Sequence, residues 1–382
     1  MKIAKIETFK VVPRWLFVRI ETDNGLVGWG EPVVEGKAGT TEACVHELGE
    51  TIINKDPRQI ENIWQTLYRG GFYRGGPILT SAISGIDQAL WDIKGKYYNL
   101  PVYEFFGGSV RDKMEIYSWI DSNTAEEAAK SARNRFEAGF KKVKMFGTEK
   151  GHWYNDYDQV DLLISKVEAI RSELDNKIDI AIDFHGRVHK SMAKTLIKEL
   201  EKYNILFIEE PVLIENEEAF KEIHSFSSIP IATGERNFTR WGFKKMISEG
   251  YVDIIQPDLS HAGGISEVRK IAAMAEAYDI ALAPHCPLGP IALAACLQVD
   301  FCSINACFQE QSLGMAYNNG NEMSKYVSDF SSLDYKDGYV KTFTKAGLGV
   351  EVNESSIREM AKVGHNWKNE VLFNEDGSVT EW

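Results

Sequence analysis

The sequence predicts an α/β fold, a (β/α) barrel of the TIM type in modified form, with an N-terminal α+β capping domain that the C-terminal segment completes. Three observations predict it: hairpin and helix signals in the first hundred residues, eight short apolar runs alternating with helical stretches, and acidic or histidine residues after these runs. We expect a capping domain at 1–112, the barrel at 113–316, and a C-terminal segment at 317–382 that packs back on the capping domain.

A turn signal and a helical stripe predict the capping domain. Asn24-Gly25 lies between two apolar runs, a pair typical of a tight hairpin turn in which both central residues have positive φ. Within residues 82–96, apolar side chains recur every three or four positions, at Ile83, Ile86, Leu90 and Ile93. This period predicts a helix with one buried face.

The barrel is predicted from short β-rich runs that begin near residue 113. There are eight of them, at 114–117, 142–145, 178–182, 205–208, 229–232, 252–255, 280–283 and 302–305. Helical stretches such as 191–203 and 265–278 separate them. Eight strand–helix repeats at this spacing favour a closed parallel barrel over an open sheet.

Composition and charge exclude several classes of protein. The chain is 44% hydrophobic and 26% charged, with a formal net charge of -13 at pH 7, which argues against nucleic-acid or membrane partners. No apolar run approaches the roughly 20 residues of a membrane helix, and the charged start lacks a signal-peptide pattern, so we expect a cytoplasmic protein. The cysteines form no Cys-x-x-Cys pair and are expected to be structural: Cys44, Cys286, Cys296, Cys302 and Cys307.

Acidic and histidine residues follow six of the predicted strands. They are 23 to 27 residues apart, about one strand–helix unit: Asp183, Glu209, Glu235, Asp258, His285 and Glu310. A single carboxylate after a strand is more often a helix N-cap, and Glu210 keeps that interpretation, with support of a neighbouring ligand as the alternative. Six in register predict a functional site at the C-terminal mouth of the barrel.

Three of these carboxylates predict a metal site. Asp183, Glu209 and Glu235 would repel one another in a partly desolvated mouth unless a cation lay between them. Oxygen-only ligands favour magnesium, one ion per subunit, with manganese as the alternative. The pairs Gly75-Gly76 and Gly263-Gly264 lack the fuller spacing of a phosphate loop, so no nucleotide cofactor is expected.

Two histidines predict acid–base chemistry beside this metal. His185 lies two residues after Asp183, so on an extended chain both side chains face the same way. His285 can donate one ring N–H to Asp258, which fixes its tautomer and stabilises the imidazolium. An isolated histidine is more often structural, but this register favours a base.

These residues resemble the mandelate racemase branch of the enolase superfamily over essentially the whole chain. The resemblance is carried by the carboxylate triad, by 82–96, and by the segments 73–79, 183–187, 256–265, 283–290 and 375–382. Within the branch, the chain is most similar to dehydratases of sugar acids. The resemblance therefore implies a hydro-lyase acting on a small-molecule substrate, and it also implies a homo-oligomer.

The resemblance also implies a role for each residue. Magnesium would bind the substrate carboxylate as a Lewis acid, His285 with Asp258 would remove the C2 proton, and His185 would protonate the departing 3-hydroxyl. Glu310 would hydrogen-bond the carboxylate from the opposite side, as a proton donor. The product would be a 2-keto-3-deoxy sugar acid. D-galactonate is the first expected substrate and another aldonate, such as D-gluconate, the alternative.

The sequence departs from its relatives at the second barrel strand. Relatives with a second base carry Lys-x-Lys there, but the alignment gives Lys144-Met145-Phe146, while Lys142-Val143-Lys144 lies two residues too deep. We therefore expect no base opposite His285, and no racemase. Sugar contacts would differ from those of relatives at Phe146 and in the stretch 147–157, and the capping-domain loops near Arg14 and at 33–40 would select the epimer.

A catalytically silent sugar-acid-binding protein is the alternative from another class, and it would not need the Asp258–His285 pair.

Overall fold

The computed structural model describes residues 1–148, 151, 153–313, 315, 318 and 323–381. The capping domain starts with a three-stranded antiparallel sheet of β1 (Ile3–Val11), β2 (Trp15–Thr22) and β3 (Val27–Gly30). Helices α1 (Ala38–Glu50), α2 (Ile60–Arg69) and α3 (Gly76–Tyr98) follow, and then a 3-10 helix at Val102–Phe106. The predicted helical stripe is confirmed, because its four apolar residues are buried in α3.

The hairpin between β2 and β3 is present, but its turn differs from the prediction. Gly25 has a φ of 83°, whereas Asn24 has no positive φ. The Thr22 hydroxyl oxygen accepts a hydrogen bond from Leu26 N at 2.9 Å, and Gly25 N donates to Thr22 O. The prediction of a two-residue turn is therefore wrong. The threonine side chain stabilises a longer loop, in which only the glycine has a positive φ.

Seven parallel strands form the barrel sheet in chain order. After β4 (Lys113–Glu115) come β5 (Ser118–Trp119), β6 (Lys142–Phe146), β7 (Asp179–Asp183), β8 (Ile205–Glu209), β9 (Ile231–Thr233), β10 (Ile254–Ile255) and β11 (Ala281–Leu282). The helices between and after them are α4 (Ala125–Glu137), α5 (Tyr157–Leu174), α6 (Lys190–Leu200) with a 3-10 turn at Glu201–Tyr203, α7 (Glu217–Phe226), α8 (Thr239–Glu249), α9 (Gly264–Glu276) and α10 (Pro290–Cys302). Backbone register pairs Asp183 with Phe146 on one side and with Glu209 on the other.

Residues 306–309 close the ring between β11 and the segment before β5. Cys307 N donates to Leu282 O at 2.9 Å, and Tyr117 N donates to Gln309 O at 3.1 Å. The predicted strand at 302–305 is therefore wrong. Cys302 is the last residue of the fully buried helix α10, and residues 303–305 form the turn after it, in which Ile304 is exposed. A run of four residues is too short for its period to separate strand from helix.

The first predicted barrel strand, at 114–117, is also displaced. β4 pairs antiparallel with β12 (Tyr339–Lys341) of the C-terminal segment, and the barrel sheet begins at Ser118. The rest of that segment has 3-10 helices at Met323–Lys325, Phe330–Leu333 and Lys336–Gly338, and then α11 (Glu354–Val363). Its Tyr326 hydroxyl donates to Val12 O at 2.6 Å, which joins it to the capping domain. The expected boundary at 316/317 lies outside the described residues.

The capping domain is docked on the barrel through two helix N-termini. Asp87 of α3 accepts hydrogen bonds from Ser266 N at 3.0 Å and Ser266 Oγ at 2.5 Å, in the first turn of α9. Glu31 accepts from Gly289 N at 2.7 Å and Ala292 N at 2.9 Å, at the start of α10. Carboxylates at helix N-termini satisfy otherwise unpaired N–H groups and complement the helix dipole.

Two further predictions, that no helix crosses a membrane and that the cysteines are structural, concern the chain as a whole. None of the described helices has the length and apolar content to cross a bilayer. The five cysteines are free thiols, four of them buried and Cys307 half-buried. Their arrangement agrees with a structural role.

Candidate active site

A pocket of about 290 Å³ lies at the carboxyl ends of the barrel strands. His185, Glu235 and His285 line it from the barrel. The capping domain contributes Arg14 and Glu35, and the C-terminal segment contributes Trp367 and Asn369. Residues far apart in the sequence therefore share one cavity, at the place where barrel enzymes keep their active sites.

Each of the three predicted metal ligands has one buried oxygen without a hydrogen bond to any described residue. These oxygens are Asp183 Oδ2, Glu209 Oε1 and Glu235 Oε2. Burial raises the pKa of all three carboxyls, that of Glu235 to about 7. Buried polar atoms are normally satisfied, and oxygen atoms from adjacent strand ends are the ligands that a hard divalent cation requires. The residues present therefore fit such an ion.

The structure brings the predicted triad only partly together. Among the described residues, the ligand atoms that all lie within 4.8 Å of one another belong to Asp183, His185 and Glu235. The other oxygen of Glu209, Oε2, accepts from Lys144 Nζ at 2.7 Å and from Gln256 Nε2 at 2.8 Å. Glu209 thus shares the register of Asp183 and keeps Oε1 available, but one of its oxygens is already bound.

Glu235 enters the pocket because of the glycine before it. Gly234 has a φ of 148°, and a Cβ there would lie 2.8 Å from the backbone nitrogen of Gln256. Only glycine allows the chain to pass so close to the next strand. The chain then turns inward, and Glu235 Oε2 lies 3.1 Å from His285 Nε2.

His185 lies beside Asp183, but not for the expected reason. Its φ is 50°, so the chain is left-handed here rather than extended. His185 N donates to Asp183 Oδ1 at 2.8 Å, and its Nε2 lies 3.2 Å from Asp183 Oδ2. The ring packs against Phe146, with centroids 5.0 Å apart. Burial, together with the positive charge of Arg187, lowers the pKa of His185 well below its usual value.

His285 lies among three carboxylates. Its Nδ1 is 2.8 Å from Asp258 Oδ2, the contact that the sequence predicts, and its Nε2 is 3.9 Å from Glu310 Oε2. Burial opposes the charged form, but Glu235, Glu310 and Asp258 outweigh it and raise the pKa of His285 well above its usual value. The charges of the protein alone therefore place a proton on His285 rather than on His185.

Lys144 lies at the floor of the site, below the pocket-lining Phe146. Its side chain is fully buried, and Nζ lies 2.7 Å from Glu209 Oε2 and 2.8 Å from Glu310 Oε1. Lys144 and the pocket-lining Phe146 are two residues apart on β6 and face the same side. The long methylene stem then carries the ammonium up to the strand ends.

Glu310 is surrounded by hydrogen-bond donors, which differs from the role of proton donor that the resemblance implies. Trp119 Nε1 donates to its Oε1 at 2.7 Å, and Cys286 N donates to its Oε2 at 2.8 Å. Burial opposes ionisation, yet Lys144 and His285 hold the pKa of Glu310 below its usual value. A carboxylate whose neighbours all donate is an acceptor. In this environment, Glu310 orients Lys144 and Trp119.

Sequence reasoning missed Arg236, and for Glu210 the helix-cap interpretation is wrong whereas the alternative, a supporting role beside the predicted ligands, agrees with the structure. Glu210 is fully buried, accepts from Thr233 Oγ1 at 2.5 Å and from Arg236 Nε at 2.8 Å, and caps no helix. It therefore holds Arg236 at the pocket wall. The signal was present in the sequence, since Arg236 directly follows a predicted metal ligand at a strand end.

The chain matches two family descriptions and full-length relatives. Residues 6–107 match the N-terminal domain of mandelate racemase and muconate lactonizing enzyme, and residues 127–356 match the enolase C-terminal domain-like family. A D-galactonate dehydratase from Cronobacter sakazakii is 53% identical over 382 residues, covering 100% of both chains. A D-galactonate dehydratase from Variovorax paradoxus is 52% identical with the same coverage.

Solved structures share the fold. An enolase superfamily member from Salmonella typhimurium has a TM-score of 0.86 at 28% identity, with 94% of this chain and 98% of that chain covered. An enolase from Agrobacterium radiobacter, described as a galactarate dehydratase candidate with bound sodium and L-malate, has a TM-score of 0.88 at 29% identity, with 100% of both chains covered. The capped, modified TIM barrel predicted from the sequence is confirmed.

Proposed function

Because the chain belongs to the mandelate racemase and muconate lactonizing enzyme family of the enolase superfamily, we propose that it dehydrates D-galactonate to 2-dehydro-3-deoxy-D-galactonate. The chain is an enzyme of the hydro-lyase class, like its full-length relatives. The observation that carries the proposal is the position of two histidines beside the orphaned carboxylate oxygens, His185 at Asp183 and His285 at Glu235.

Asp183, Glu209 and Glu235 would hold one magnesium ion through the three buried oxygens Asp183 Oδ2, Glu209 Oε1 and Glu235 Oε2. His185 also lies within reach, but an imidazole that has to move a proton cannot keep a metal on the same nitrogen, so we assign the third ligand to Glu209. Bound there, the ion would polarise the substrate carboxylate and neutralise Glu235, one of the carboxylates that raise the pKa of His285. Manganese has the same ligand preference.

His285 is proposed to remove the proton at C2. Asp258 accepts its Nδ1–H at 2.8 Å, which leaves Nε2 as the basic nitrogen on the pocket side. His285 can act as a base only after its own resting proton has left. A positioned base typically contributes about 10²–10⁴-fold to the rate.

His185 is proposed to deliver a proton to the departing 3-hydroxyl, and it first has to take up that proton from solvent, because burial and the charge of Arg187 lower its pKa. Its left-handed backbone and its packing against Phe146 hold the ring beside Asp183, so the proton is delivered next to the reacting carbon. Loss of the hydroxyl as water and ketonisation then give the 2-keto product. Glu310 keeps Lys144 and Trp119 in place below the reacting atoms.

The test is a screen of six-carbon aldonates for a 2-keto product, followed by the absorbance of its semicarbazone. We expect turnover of D-galactonate, loss of activity with EDTA, and recovery with magnesium. Turnover of D-gluconate in preference would shift the proposal to the other epimer. Binding without turnover of any aldonate would leave a sugar-acid-binding protein and contradict the proposal.

A further inference from the structure

One wall of the pocket comes from the capping domain and contains an arginine that binds two oxygens of the protein. Arg14 is 3% exposed; its Nη1 donates to Glu35 Oε1 at 2.9 Å and its Nη2 donates to Pro287 O at 3.0 Å. Its guanidinium carbon lies 5.4 Å from the ring centre of Trp367. Two nitrogens of this guanidinium are therefore already bound to protein oxygens, and its charge is paired with Glu35.

Glu35 connects this wall to the catalytic histidine. Its Oε2 lies 3.5 Å from His261 Nε2, and the same nitrogen lies 3.7 Å from Asp258 Oδ2. Asp258 in turn holds the Nδ1 side of His285, whereas Glu235 lies on the Nε2 side. Glu35 is therefore at the end of the pocket beyond Asp258, away from the orphaned carboxylate oxygens.

The charge and position of Glu35 are both fixed by its neighbours. Burial alone would favour the neutral form, but His261 and Arg14 hold the pKa of Glu35 below its usual value. The next residue, Gly36, has a φ of 74°, and a Cβ there would lie 2.1 Å from Asn369 Oδ1. The loop is thus pressed against the C-terminal segment, and Glu35 meets a ligand as a fixed anion.

We propose that Glu35 makes the pocket selective for sugar acids with one carboxylate, accepting a hydroxymethyl end and rejecting a second carboxylate. The inference rests on the proposed function, in which the C1 carboxylate of the substrate lies at the metal site formed by Asp183, Glu209 and Glu235. A terminal hydroxyl can donate a hydrogen bond to Glu35. A terminal carboxylate cannot, because it has no proton to donate to the acceptor oxygens of Glu35, and the two negative charges repel each other although Arg14 and His261 partly offset that of Glu35.

D-galactonate and galactarate form a matched pair for the test, because they share configuration at C2 to C5 and differ only at C6. We would measure kcat/KM and, by calorimetry with magnesium, the Kd of each acid. Since like charges placed together disfavour binding, wild type should prefer galactonate by at least about 100-fold in both quantities.

Glu35→Gln removes the charge at nearly constant size. It should reduce the preference by about tenfold or more, mainly because galactarate improves. Glu35→Asp keeps the charge and should keep the preference. The control is Glu7→Gln, which removes a capping-domain carboxylate that pairs with Arg19 outside the pocket and should leave the preference unchanged.

Each outcome separates this inference from the proposed function. Equal use of both acids by wild type, or an unchanged preference in Glu35→Gln, overturns the selectivity even if galactonate is turned over. Preferential binding of galactonate without turnover contradicts the proposed function and supports the selectivity. If circular dichroism shows that Glu35→Gln does not fold, the selectivity is tested by whether wild type and Glu35→Asp prefer galactonate to galactarate.

Discussion

Lys144 Nζ lies 2.7 Å from Glu209 Oε2, and both side chains are fully buried. The same ammonium lies 2.8 Å from Glu310 Oε1. Burial would lower the pKa of Lys144, but these carboxylates raise it well above its usual value, so the lysine stays charged. A protein cation therefore binds one oxygen of a proposed metal ligand, and an added ion has to share the site with it.

Lys144→Met is expected to destabilise the metal-free protein and to increase its stabilisation by magnesium. Removing one partner of a buried ion pair leaves an uncompensated charge, which typically costs about 3–5 kcal/mol of unfolding free energy. Without Lys144, magnesium no longer meets a neighbouring positive charge and gains the second oxygen of Glu209. Thermal melts with and without magnesium measure both effects.

Lys142→Met is the matched control for this variant. Lys142 lies two residues earlier on β6 and pairs with Glu115 and Asp179 at the other end of the strand. We expect the magnesium-dependent shift of its melting temperature to equal that of wild type. A Lys144→Met protein that melts like wild type, with the same magnesium shift, would show that Lys144 does not hold Glu209 in solution.

The two histidines are expected to differ in hydrogen exchange at C2. His185→Asn should still exchange the C2 hydrogen of D-galactonate with solvent while losing dehydration, because only the acid is missing. His285→Asn should lose both, because no base remains, and each loss should be about 10²–10⁴-fold. Proton NMR of the substrate in deuterium oxide, together with the assay for the 2-keto product, measures the two reactions separately.

The opposite pattern of C2 exchange in the two variants would exchange the roles of acid and base between His185 and His285. It has a physical basis, since the charges of the protein alone favour a protonated His285 and a neutral His185. Retained exchange in His285→Asn and its loss in His185→Asn would make His185 the base. Equal loss in both variants would mean that C2 exchange requires the whole site.

The sequence was sufficient for the barrel and for the order of its site residues, because strand ends in a barrel recur at a fixed interval. Asp183 and Glu209 lie at paired positions of adjacent strands, as their spacing predicts. The sequence was not sufficient where the length of a side chain or a strained backbone determines which side chains reach the site. Lys144 reaches the site from two residues below Phe146, and His185 reaches Asp183 through a left-handed turn that alternation along an extended strand does not predict.

Contacts between domains could not be read from the sequence either. Glu35 and His261 are more than two hundred residues apart in the chain, and they meet only because the capping domain is docked over the barrel mouth. The last barrel segment was misplaced for another reason. Only Cys302 of the predicted strand belongs to α10 and residues 303–305 form a turn, and a run of four residues is too short to show which period it follows.

Asp87→Ala is expected to loosen the capping domain. It removes two hydrogen bonds at the start of α9, and loss of a helix cap typically costs about 0.5–2 kcal/mol. Because the capping domain carries Arg14 and Glu35 into the pocket, KM for the substrate should rise together with the fall in melting temperature. Asp87→Asn keeps an acceptor for Ser266 and should show smaller changes in both.

Asn353→Ala serves as the control for the loss of a cap. Asn353 accepts from Ser356 N at 3.1 Å at the start of α11, outside the junction between the capping domain and the barrel. We expect it to lower the melting temperature by a similar amount and to leave KM unchanged. A KM that rises equally in both variants would attribute the effect to general destabilisation.

Asp300 is expected to make the protein less stable as the pH rises. It lies fully buried in α10, and neither carboxyl oxygen has a hydrogen bond to any described residue. Burial raises the pKa of Asp300 well above its usual value, whereas the unfolded chain ionises near pH 4. Above pH 4 the folded state therefore binds one more proton than the unfolded state, and the free energy of unfolding falls until Asp300 ionises in the folded protein too.

Asp300→Asn removes this titration at nearly constant size. The variant should resemble wild type near pH 4 and exceed it near pH 8 by about 1.4 kcal/mol for each pH unit over which only the folded state keeps the proton. Urea unfolding at both pH values measures the difference, with the exposed Asp161→Asn of α5 as control. If the variant is more stable than wild type by the same amount at both pH values, the aspartate affects stability through packing. If the variant is less stable at pH 8, Asp300 is ionised and has a bonding partner in solution. The expected difference between the two pH values follows only if Asp300 is buried and protonated.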